Sequence, residues 1–168
     1  MMGTFGHKLL QAILLLLVQG MVLNHVNILG YATPMPYLYF LLTFQKGAGR
    51  KTLLCAGFLL GVVADLFTNT PGIAAASCTL MGMIQPVLLS VLSPRDSAEN
   101  LYPSYASMGF SSFAWYLFFA TIIFQLVYYL LAIFSLAHPA DVFYNIVGGT
   151  FLTWVLMLGF ASFHRKKA

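Results

Sequence analysis

Apolar positions along this chain gather into six runs, at residues 9–23, 31–44, 52–67, 73–92, 111–136 and 142–163. Polar residues fall mostly in the stretches between them. A 30 Å hydrocarbon core needs roughly 20 residues at about 1.5 Å of rise each, so the pattern predicts a bundle of six transmembrane helices. The second run is the weak element. It would rise only about 21 Å, and Pro34 and Pro36 interrupt it. A re-entrant segment is the competing reading there.

Charge decides between the two. Lys8 precedes the first run, and Lys46, Arg50 and Lys51 separate the second from the third. Arg95 follows the fourth, and Arg165, Lys166 and Lys167 follow the sixth. With six crossings every Lys and Arg lies on one side, and the positive-inside rule puts both termini in the cytoplasm. A re-entrant second run would move Lys46, Arg50 and Lys51 opposite Lys8 and break that pattern. Lys8 and the apolar residues after it resemble a secretory signal. Gln19-Gly20-Met21 offers no small-residue cleavage site, so the run is expected to stay as an uncleaved first span.

Composition narrows the class. The chain is 60% hydrophobic and 7% charged, with a mean hydropathy of +0.86. Soluble chains carry about 25% charged residues, so a soluble globular domain is excluded and one integral membrane domain is expected. The net charge of +4 is spread over small clusters, which membrane topology explains better than nucleic-acid binding. Cys55 and Cys78 belong to successive spans at different depths, too far apart for a disulfide, and read as small core residues. No nucleophile with a base, no metal-ligand spacing and no phosphate loop appears. Neither enzyme activity nor a cofactor is expected.

Asp65 stands out against this background. It lies near the end of the third run, and an ionisable group inside a span costs roughly 3 kcal/mol unless it faces protein or water. Stepping back by fours along a helix reaches Gly61 and Gly57, and stepping forward reaches Asn69. The glycines let a neighbouring backbone approach on the face that carries the acid. No Lys or Arg shares its outer half. Asp65 is then neutral, or accepts hydrogen bonds, or meets a partner protein or ligand. Its candidate donors are Asn24, His25 and Asn27 after the first span, or the start of the fourth helix after Pro71-Gly72. Asn69-Thr70-Pro71-Gly72 has the chemistry of a tight turn.

Other polar positions have plainer readings. Asp141, after His138-Pro139-Ala140, is placed to cap the last helix. Gln85 and Gln125 are expected to make interhelical hydrogen bonds, and Gly148 and Gly149 to be close-packing sites. Tyr102, Tyr105, Trp115 and Tyr116 sit where an interfacial aromatic belt would lie. The stretch 93–108 reads as a cytoplasmic connector.

The run from Gly57 through Gly61, Asp65, Phe67, Pro71 and Gly72 to Ala75 resembles the signature of MreD, the rod shape-determining membrane protein family. The stretch Asn24-His25-Val26-Asn27 to Pro34 is similar to that family's first outer loop, and Ser107 to Tyr116 to the start of its fifth span. Gln85 departs from the family, many of whose members carry a basic residue there. The resemblance implies a non-enzymatic scaffold in the bacterial inner membrane. It would act with MreC, and indirectly with MreB, RodA and a class B penicillin-binding transpeptidase, in peptidoglycan synthesis during cell elongation. It also implies a fold similar to the substrate-binding components of energy-coupling factor type transporters. Gly57, Gly61, Asp65, Asn69 and Gly72 would form the helix-packing and partner face, and Asn24 and His25 part of an outer-half polar cluster. The alternative is a small-molecule-binding subunit of such a transporter, with that cluster as its pocket.

Overall fold

A computed structural model describes residues 34–93, 102–132 and 139–164. Among them the chain is helical, with no strand. The helices are α1 (Leu38–Leu42), α2 (Arg50–Thr68), α3 (Ile73–Leu92), α4 (Tyr105–Met108), α5 (Phe110–Ala132) and α6 (Pro139–His164). Four are long and apolar enough to cross a membrane: α2, α3, α5 and, within α6, Tyr144–Ser162. This is a membrane protein. The third to sixth apolar runs correspond to these helices within a few residues, while the run 9–23 lies outside the described residues.

The second run departs from expectation. Residues 34–37 are irregular, ending in a turn at 36–37, and α1 has only five residues, about 7 Å of helix, so no single helix crosses the bilayer here. The prolines supply the reason. Pro34 and Pro36 have no backbone N–H to donate, and Met35 precedes a proline, which disfavours helical torsions. Helix begins only after Tyr37. The segment is nonetheless deep in protein, with Met35, Tyr37, Leu38, Leu41 and Leu42 all buried. Irregular backbone at membrane depth is tolerated only under such cover.

The long helices are neighbours in the order α2, α3, α5, α6, and α1 lies against α2, α3 and α5. Tyr37 meets Phe124 of α5 edge to face at 5.9 Å. At the cation-bearing end, Lys46 Nζ reaches Ser93 Oγ at 3.2 Å and Tyr105 donates its hydroxyl to the Leu158 carbonyl at 3.1 Å. Three smaller expectations are corrected. Cys55 is exposed, and only Cys78 belongs to the core. Tyr116 is fully buried and not part of an interfacial belt. Helix α6 begins at Pro139, which places Asp141 within its first turn and not at the cap.

Candidate functional site

The best-defined polar site is the turn end of the α2–α3 hairpin. Helix α2 closes at Asn69, whose left-handed backbone (φ 55°) suits asparagine, and whose N–H donates to the Asp65 carbonyl. Gly72 takes a second positive φ, 88°, immediately before α3. These two residues turn the chain back tightly enough to set the start of α3 over the Asp65 side chain.

Asp65 then collects four hydrogen bonds. Thr70 Oγ1 and the Ala74 N–H donate to Oδ1 at 3.1 and 2.9 Å. The N–H groups of Gly72 and Ala75 donate to Oδ2 at 3.0 and 2.9 Å. A helix leaves its first N–H groups without intrahelical partners and carries a partial positive charge there. Asp65 answers both needs of α3 from the preceding helix. Both carboxyl oxygens accept, each from two donors of the turn and of the start of α3. Thr68 Oγ1 lies 2.7 Å from Thr70 Oγ1, and the Tyr128 hydroxyl of α5 sits beside both threonines. Of the donors expected from sequence, the start of α3 is the one observed. Asn24, His25 and Asn27 lie outside the described residues.

The glycine face is used inside the chain. A Cβ on Gly57 would come within 2.6 Å of the Cys78 carbonyl oxygen, and one on Gly61 would run into Ala75 Cα and the Ala74 carbonyl. From the other helix, a Cβ on Gly82 would sit 2.8 Å from the Leu53 carbonyl oxygen. Gly57, Gly61 and Asp65 are therefore buried against α3, while Asn69 and Gly72 stay exposed in the turn. The surface that α2 offers to its surroundings is instead apolar: Phe58, Leu59 and Leu66.

A second polar cluster, which the sequence reading did not assemble, lies where the chain breaks before α1. The Met35 N–H donates to Thr153 Oγ1 of α6 at 3.0 Å, and Gln125 Nε2 of α5 reaches the same oxygen at 3.4 Å. Below it, Tyr116 donates to the Leu42 carbonyl at 3.2 Å, and Gln85 Nε2 to the Phe44 carbonyl at 3.1 Å. These bonds hold both ends of the broken element. Among the described residues three buried side-chain atoms are left without a partner: Gln85 Oε1, Gln125 Oε1 and Thr150 Oγ1. The available signal was chemical. Two prolines in a span must free backbone groups, and glutamine or threonine must meet them.

The two residues on either side of that contact should respond differently to mutation. Thr153→Val orphans a buried N–H and should lower stability by about 1–3 kcal/mol. Gln125→Leu removes an unpaired carbonyl and a long bond, and should be close to neutral. Thermal unfolding in detergent reads both, and equal losses would contradict this account.

No protein-family model, no curated protein and no solved structure matches the chain.

Proposed function

We propose that this chain is a non-enzymatic scaffold of the bacterial cell-elongation machinery in the inner membrane. It acts with MreC, and through it beside MreB, RodA and a class B penicillin-binding transpeptidase. The observation that carries this reading is how Asp65 is spent. In the segment that resembles MreD, the one acid is committed to four hydrogen bonds within its own hairpin. A carboxylate so occupied fastens two helices together and leaves little capacity for proton or ion coupling. The hairpin turns Phe58, Leu59, Leu66, Leu80, Met83 and Val91 outward, an apolar surface suited to partner helices.

Six crossings with both termini cytoplasmic belong to the same proposal. The cation-bearing ends of the α2–α3 and α5–α6 hairpins fall on one side, and the run 31–44 crosses as a broken element shielded by protein.

A second reading has its own support. The unpaired Gln125 Oε1 and Thr150 Oγ1 beside a break in the backbone are features of small-molecule sites in transporters. On that reading the chain is the binding subunit of an energy-coupling factor type transporter.

Depletion in the native cells separates the two. Cell rounding that the wild-type chain reverses supports the scaffold. Normal width on full depletion, with a transport partner recovered in pull-downs, would favour the transporter subunit.

A further inference from the structure

Two of the unpaired oxygens belong to one place between α5 and α6. Gln125 is 0% exposed and Thr150 5%, and neither Gln125 Oε1 nor Thr150 Oγ1 has a hydrogen-bond partner among the described residues. An unpaired buried acceptor carries its whole desolvation penalty. Gly149 has no side chain, so the Gln125 amide lies against α6 there. A Cβ on Gly149 would come within 2.9 Å of Gln125 Nε2 and 3.5 Å of Oε1. Thr150 is the next residue, and Gln125 Nε2 reaches Thr153, three positions further on, at 3.4 Å.

Thr150 has also given up the usual outlet for a helical hydroxyl. The buried hydroxyls of Ser77 and Thr121 donate to the carbonyl four residues back, at 2.8 and 2.7 Å. Thr150 makes no such bond, so its hydroxyl is available to a group beside the helix. Residues three apart on a helix have Cβ atoms about 5–6 Å apart. Two hydrogen bonds of about 2.8 Å through one shared atom span a similar distance.

Chemistry selects the occupant. Turning the Gln125 amide about its last torsion exchanges Oε1 and Nε2, and either way one polar atom stays unpaired. An occupant that both donates and accepts serves either orientation. A metal ion fits poorly, since Mg²⁺ or Ca²⁺ takes about 6–8 oxygens and the pair offers two, neither charged. Thr150 and Thr153 lie about 9–14 Å into the span Tyr144–Ser162, near mid-bilayer, where an ion so held keeps most of its desolvation cost. We propose that one internal water molecule bridges Gln125 and Thr150, tying α5 to α6 one turn from the clamp on Met35. The direct bond at Thr153 and the bridge at Thr150 then hold the same turn of α6. This inference is independent of the scaffold role, and a ligand of the transporter reading would first displace this water.

Water in contact with an amide proton transfers magnetisation to it, and in the rotating frame the sign of the peak separates contact from hydrogen exchange. The full chain, isotope-labelled in detergent micelles, is expected to show a contact peak between water and the Gln125 side-chain amide, identified by its loss in Gln125→Leu. Bulk water is out of range of a fully buried amide near mid-bilayer. The peak should vanish in Thr150→Val. It should persist in Thr150→Ser, which keeps the hydroxyl, and in Thr121→Val, whose hydroxyl serves its own helix. Its absence from the wild-type chain would overturn the proposal, as would full intensity in Thr150→Val. A shift of the Gln125 amide on replacing sodium with choline would also overturn it, by assigning the site to an ion.

Discussion

Asp65→Ala is expected to lower the stability of the protein by about 2–4 kcal/mol while leaving its insertion into the membrane unchanged. Two contributions add. Losing a helix cap costs about 1 kcal/mol. A buried N–H left without an acceptor costs about 1–3 kcal/mol, and the bonds from Ala74 and Ala75 are buried. Water could replace the cap if it reached the site, but Asp65 is only 8% exposed. Asp65→Asn should recover less than half of the loss. Its amide keeps one acceptor oxygen and turns an NH₂ group toward backbone N–H groups that also need an acceptor. Thermal unfolding in detergent should place Asp65→Ala on the order of 10 °C below wild type. A shift within about 1 °C would mean that the four bonds contribute nothing net, and the fastening role of Asp65 would be lost with them.

How much of this was legible in the sequence depends on what a membrane hides. Helices α2, α3, α5 and α6 were legible because long apolar runs have one stable form in a bilayer, with every backbone bond satisfied internally. The donor to Asp65 was legible in part, because Pro71-Gly72 before an apolar run marks a helix start. The break before α1 was marked by Pro34 and Pro36, but what holds it was not legible. Hydropathy counts apolar residues, and Met35 to Leu42 are apolar, yet the backbone there is held by Thr153, which is 118 positions away from Met35. No local period encodes that contact. The side chains of Cys55 and Tyr116 were misplaced for a different reason. In water an apolar residue points inward, but lipid is as apolar as the core, so burial has no signature in hydrophobicity. What separates the exposed Leu66 from the buried Leu60 is packing alone.

The same packing makes glycine the most position-dependent residue in the chain. Gly61→Ala is expected to cost about 3 kcal/mol, the upper end of overpacking, because the new Cβ meets the backbone of Ala74 and Ala75 and not a side chain that could swing aside. Gly159→Ala is the control. A Cβ there meets nothing, so the same substitution should be neutral or slightly stabilising, as alanine favours helix over glycine. Gly61 lies one turn from Asp65, and the backbone it touches carries two of the N–H groups that Asp65 receives. Pushing α3 away at Gly61 should therefore loosen the cap as well. A double-mutant cycle between Gly61→Ala and Asp65→Ala is expected to show a combined loss smaller than the sum, with a coupling of about 1–2 kcal/mol. Strict additivity would mean that close approach and capping are independent devices. Coupling on that scale would mean that the glycines set the distance at which the carboxylate can reach the next helix.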